Sequence, residues 1–102
     1  AWGTFGANAN NKRVKFKFGA SSLTFFDSGY NNLTWFVSVL IVRTGATGQE
    51  IAGYSLVPTN VVGTARATGA ETLSGAITIQ FTGEATADSD ILQHGMIVEG
   101  LN

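Results

Sequence analysis

The chain has 102 residues, 44% of them hydrophobic and 13% charged, which is enough for one small domain around one core and too short for two. It contains no cysteine, so disulfides and thiolate metal sites are excluded. Six basic against seven acidic residues leave a net charge of −1, so there is no electrostatic case for nucleic acid or another polyanion as principal partner.

The chain opens at Ala1 and its single methionine is Met96, the pattern of a processed product or of a piece of a longer protein. Residues 1–11 read as a Gly- and Asn-rich leader in which Trp2 and Phe5 are out of place unless something covers them. They would anchor the leader, join an upstream stalk or enter an intersubunit contact. A single domain follows over residues 12–102. Frequent glycines separate runs of Val, Ile, Thr and Phe with period-two alternation, and no glycine-free window carries a helical apolar repeat, so the domain is all-β. Lys12–Phe18 alternates Val14, Phe16 and Phe18 with Arg13, Lys15 and Lys17, one face for the core and one for solvent. Ser22–Phe26 is the next strand, Asp27–Asn32 a turn, and Leu33–Arg43 a long central strand. Thr44–Gly48 supplies hairpin glycines. Gln49–Val57 follows and Pro58 ends it, because proline cannot donate to a ladder. Val61–Ala67, Ala76–Thr82 and Ile91–Val98 complete about seven or eight strands. Such a set closes as an antiparallel two-sheet β-sandwich of jelly-roll type, with a small barrel as the alternative.

The long strand is apolar on both faces: Leu33, Trp35, Val37, Val39 and Ile41 on one, Phe36, Leu40 and Val42 among the residues of the other. Only one face of a sheet meets the other layer of a sandwich, and no helix is expected to cover the second. Phe36, Leu40 and Val42 therefore mark an expected oligomer interface, unless a loop or a strongly curved barrel covers them. The longest apolar stretch, Trp35–Val42 interrupted by Ser38, is far short of the roughly 20 residues of a membrane helix, and no membrane insertion is expected.

Chemical motifs are sparse. His94 is the sole histidine, and nothing near it resembles a nucleophile elbow, so a structural or surface role is the plain reading. Glu84, Asp88 and Asp90 cluster in one stretch but lack the ligand spacing of an EF-hand loop. Solvated turn carboxylates fit them better than calcium ligands, and better than a glycosidase pair, which needs a defined separation across a cleft. Lys12–Phe18 mixes cations with phenylalanines, but a strand sends the two sets to opposite faces, so no joint stacking platform forms. Tyr30, Asn31 and Asn32, an aromatic ring flanked by amides in a turn, are a candidate ligand-binding cluster with chemistry suited to sugars. No catalytic residue, metal or cofactor is expected, and the chain does not read as an enzyme.

Leu33-Thr34-Trp35, Val42–Gln49, Ile77–Ile91 and the closing Met96-Ile97-Val98-Glu99 together resemble the β-sandwich tip domains at the C-terminal ends of bacteriophage tail or head fibres. The resemblance rests on strands and turns and transfers no site residue. It implies a tumour-necrosis-factor-like jelly-roll homotrimer in the virion, attached to other virion proteins and contacting a host cell-surface glycan or protein. A charged fraction of 13%, about half the usual one, with Thr, Ser and Asn supplying the polar surface, is common among extracellular and virion β-proteins. A non-viral carbohydrate-binding module and a capsid or tail decoration protein without a cell-surface ligand are the alternatives.

Overall fold

The computed structural model describes residues 1–58 and 60–100. Among the described residues the chain forms eight strands and no helix: β1 (Trp2–Phe5), β2 (Lys12–Phe18), β3 (Ser21–Ser28), β4 (Thr34–Gly45), β5 (Gly48–Val57), β6 (Asn60–Gly69), β7 (Ile79–Ala85) and β8 (Ile91–Gly95). They make two antiparallel sheets, one of five strands in the order β6-β5-β4-β1-β8 and one of three in the order β3-β2-β7. The pairing is nested. β1 pairs with β8, β2 with β7 and β4 with β5, while β3 lies beside β6. A long antiparallel hairpin rolled up on itself gives this jelly-roll order, here split into unequal sheets.

The core between the sheets is aromatic. Phe5, Phe16, Phe18, Phe25, Phe26 and Trp35 are buried with Val14, Leu23, Val37, Ile51 and Val57, and Phe26 meets Phe5 at 5.1 Å with ring planes 82° apart, an edge-to-face contact. Period two accounts for β2, where Val14, Phe16 and Phe18 point inward. It fails in β3, where Phe25 and Phe26 are both buried. The ladder shifts there, Val14 facing Phe26 and Lys15 facing Thr24, so Phe25 is the extra residue of a bulge and turns inward beside its neighbour. Gly53 makes room for it, since a Cβ there would come within 2.8 Å of the Phe25 ring.

Polar groups tie the layers together at defined points. The buried Ser55 hydroxyl donates to the Phe25 carbonyl at 3.2 Å, from one sheet to the other. Gln49 donates to the Glu71 carbonyl at 2.8 Å and accepts from the Glu71 amide at 3.0 Å, which pins the segment between β6 and β7. The Glu71 carboxylate accepts from the Ala20 amide at 2.7 Å, in the turn after β2 where Gly19 takes a positive φ of 55°, as a tight hairpin requires.

Three expectations change. Residues 2–5 are not part of a leader: β1 lies between β4 and β8 inside the larger sheet. Four residues with a glycine among them show too little alternation to read as a strand, and their pairing is entirely long-range. Lys12 does not join the solvent face of β2 but is buried, because it shares the inward parity of Val14 and Phe16. The strand expected at Ala76–Thr82 runs Ile79–Ala85 and the one expected at Ile91–Val98 stops at Gly95. No helix among the described residues is long and apolar enough to cross a membrane.

Candidate functional site

β4 is the spine of the larger sheet. Its inward side chains Trp35 and Val37 are buried, and Val39 and Ile41 half-buried. Its outward side chains remain uncovered: Phe36 is 39% exposed, Leu40 58% and Val42 48%. Register extends this patch sideways. Trp2 of β1 and Leu56 of β5 stand opposite Phe36, and Val61 of β6 stands opposite Leu56, so one apolar row crosses four strands. Trp2, Tyr54 and Val61 are themselves exposed. Polar residues lie toward one corner, where Arg66 makes a bidentate pair with Glu50 at 2.9 Å for both bonds. That pair holds the Glu50 carboxyl below its ordinary range through the hydrogen bonds from Arg66. An apolar centre with a charged margin is the anatomy of a protein interface.

Beyond Val37 the ladder from β1 stops, since β1 faces only Thr34, Trp35 and Phe36. A groove of about 700 Å3 runs along β4 there, between Ile79 and Phe81 of β7 and the terminal stretch Met96–Gly100. Ile97 and Val98 are among the most exposed apolar residues of the chain, so the apolar surface continues from the sheet face over its edge.

The smaller sheet has the opposite character. Arg13 on β2 bridges Asp27 on β3 at 3.0 Å and Glu84 on β7 at 3.1 Å, and Lys15 reaches Glu84 at 3.2 Å. The Asn11 amide and Arg13 hold Asp27 below its usual range, and Lys15 does the same for Glu84. Arg13 and Lys15 are thus spent on cross-strand carboxylates, which breaks up the basic strip of β2.

Of the three carboxylates expected as solvated turn groups only Asp88 is one: Glu84 lies on β7 and Asp90 is buried. Glu84 belongs to that outer ion-pair network, Asp88 is exposed, and Asp90 is only 2% exposed. The Asp90 carboxylate accepts from the Asn8 side-chain amide, from Asn10 at 3.1 Å and from the Ala87 backbone amide at 3.1 Å, and these donors, Asn8 first, hold its carboxyl below the ordinary range. Lys12 completes the network by donating to the Asn8 carbonyl at 3.0 Å, the Asn8 side-chain oxygen at 2.9 Å and the Asn10 carbonyl at 2.9 Å. Asn8 and Asn10, in the segment expected as a leader, therefore join Lys12 to Asp90. Among the described residues no group of three or more His, Asp or Glu is placed to hold a metal ion.

The turn cluster is likewise divided. Tyr30 is half-buried and stacks on Phe5 with centroids 5.2 Å apart and planes 15° apart, so one face of its ring belongs to the core. Asn31 and Asn32 are exposed, and Asn32 takes a positive φ of 52° while its amide donates to the Gly6 carbonyl at 3.1 Å. His94 is exposed on β8, its Nε2 3.1 Å from the Thr4 hydroxyl. Compared with protein-family models, curated protein sequences and solved structures, the chain matches none.

Proposed function

We propose that this chain is a homo-oligomeric attachment module of a virion, a trimer at the tip of a bacteriophage fibre that holds other virion proteins at one end and a host cell-surface glycan or protein at the other. The observation that carries the reading is the uncovered apolar row through Phe36, Leu40 and Val42, on the outer face of the larger sheet, which unlike the outer face of the smaller sheet is not laced by ion pairs. Burying a Val, Leu or Phe fully is worth about 1.5–3 kcal/mol. These three are already partly covered, so each has roughly 1 kcal/mol left to contribute in an interface. Three identical sites on one particle bind a surface by avidity, so each contact need only be weak. The neutral, hydroxyl-rich surface and the sandwich fold fit this duty, and the threefold number comes from the fibre-tip resemblance.

Light scattering behind size exclusion tests the assembly. The expected mass is about three times 10.7 kDa, falling to the monomer in the Phe36→Ser, Leu40→Ser double variant. A 10.7 kDa wild type at every concentration would overturn the oligomer and favour a monomeric binding module. A glycan array and a host-cell binding assay test attachment, and an oligomer that binds neither would make the chain a decoration protein.

A further inference from the structure

The side of the sandwich between β7 and β8 is open, because each is the edge strand of its sheet. A cavity of about 410 Å3 enters there, in the size range of small-molecule sites. Phe81 and Ile91 give it apolar walls, Thr86, Asp88 and Gln93 supply polar groups, and Trp35 lines it from the core side. Trp35 is 1% exposed, and its indole N–H finds no acceptor among the described residues. The indole therefore forms the floor of the cavity on its core side and reports occupancy of the cavity without itself bonding a ligand.

The outer wall of the cavity is held in place. The Ala87 amide donates to the Asp90 side chain at 3.1 Å and the Asp90 amide to the Ala87 carbonyl at 3.3 Å. Gly6 donates to the Asp90 carbonyl at 2.8 Å, and a Cβ on Gly6 would come within 3.0 Å of the Ser89 carbonyl. Ser89 takes a positive φ of 66°, a conformation that costs energy outside glycine and that the surrounding bonds sustain. Asp90 is thus a positioning residue for the loop that carries Thr86 and Asp88.

We propose that this cavity binds a neutral, hydroxyl-bearing ring of monosaccharide size. The ring's hydroxyls donate to the Asp88 carboxylate and exchange bonds with Thr86 and Gln93, and its C–H surface lies on Phe81 and Ile91, above the Trp35 indole. Among the described lining residues Asp88 is the one with a formal charge and none is cationic, which disfavours phosphate, sulfate or carboxylate ligands. The proposal rests on the attachment reading for the source of the sugar, a cell-surface glycan, and is independent of the oligomer.

The test is a titration of 15N-labelled protein with D-glucose, D-galactose and N-acetyl-D-glucosamine, each to tens of millimolar. It follows the two indole N–H signals, assigned with a Trp2→Phe variant. The Trp35 signal is expected to move progressively with at least one sugar. In Thr86→Trp, which places bulk at the mouth on an exposed position, the same shift should need about tenfold more sugar or vanish. Movement of Trp35 in both the wild type and the Phe36→Ser, Leu40→Ser protein supports the pocket whatever the oligomeric state. A Trp35 signal unmoved by all three sugars, or moved equally in Thr86→Trp, overturns it and leaves the oligomer standing.

Discussion

Lys12 is fully buried, and its ammonium makes all three of its bonds to oxygens of Asn8 and Asn10. An ammonium in that position is tolerated because every donor is used and a carboxylate, Asp90, lies across the same asparagine. Lys12→Met keeps the stem but strands those oxygens, and is expected to cost about 2–4 kcal/mol. Thermal melting would read this as a Tm lower by roughly 10–25 °C at this chain length. Asp90 gives a pH signature. Its folded-state value is depressed by the Asn8, Asn10 and Ala87 donors, so its stabilisation is present above the ordinary Asp value of about 4 and lost as pH falls through the lower folded-state value. Melting curves taken between about pH 6 and about pH 2 should therefore show wild type above Asp90→Asn at the upper end and the two converging at the lower. The ion pairs of Asp27, Glu84 and Glu50 remain in both proteins, so a gap that stays constant would show that Asp90 contributes no linkage.

Among the elements, β1 is the least legible in the sequence and is among the most constrained. Gly3 of β1 is buried beneath the Trp35 ring, and a Cβ there would collide with the Leu92 carbonyl and come within 2.8 Å of the indole. Neither neighbour yields easily, one being backbone and the other core, so Gly3→Ala is expected to destabilise by about 2–3 kcal/mol in chemical denaturation. Gly95→Ala meets the Trp2 indole, an exposed side chain that can swing aside, and should cost far less. Equal costs would mean that β1 is not held as tightly as its register implies. The paired fates of Phe25 and Phe26 show why β3 resisted a simple reading: a one-residue bulge changes which parity faces inward, and nothing local in Ser-Leu-Thr-Phe-Phe announces it. β4 was legible because its length, its two apolar faces and the glycines of its hairpin are all local properties.

For the molecule as a whole, the question is what covers the outer face of the larger sheet. The two outer faces differ in kind, one laced by Arg13, Lys15, Asp27 and Glu84 and the other apolar through Phe36, Leu40 and Val42. An assembly built on the second is driven by apolar burial, so its mass should survive an increase of salt to about 1 M, where exposed ion pairs are screened beyond about 3 Å. Dissociation under those conditions would point to the charged face instead.

The amino-acid pattern alone determined the all-β class, most strand positions, the inward parity of β2 and the two-faced character of β4, because period-two alternation and turn glycines act within a few residues. Tertiary structure decided the rest. It drew Trp2–Phe5 into the middle of a sheet, buried Lys12 against Asn8 and Asn10, dispersed Glu84, Asp88 and Asp90 into three different environments, gave one face of Tyr30 to Phe5 and left the flank between β7 and β8 open. Each of these depends on which distant residues the rolled hairpin brings together, Asn8 with Asp90 or Gly3 with Leu92. A partner that far along the chain leaves no local trace in hydropathy or spacing.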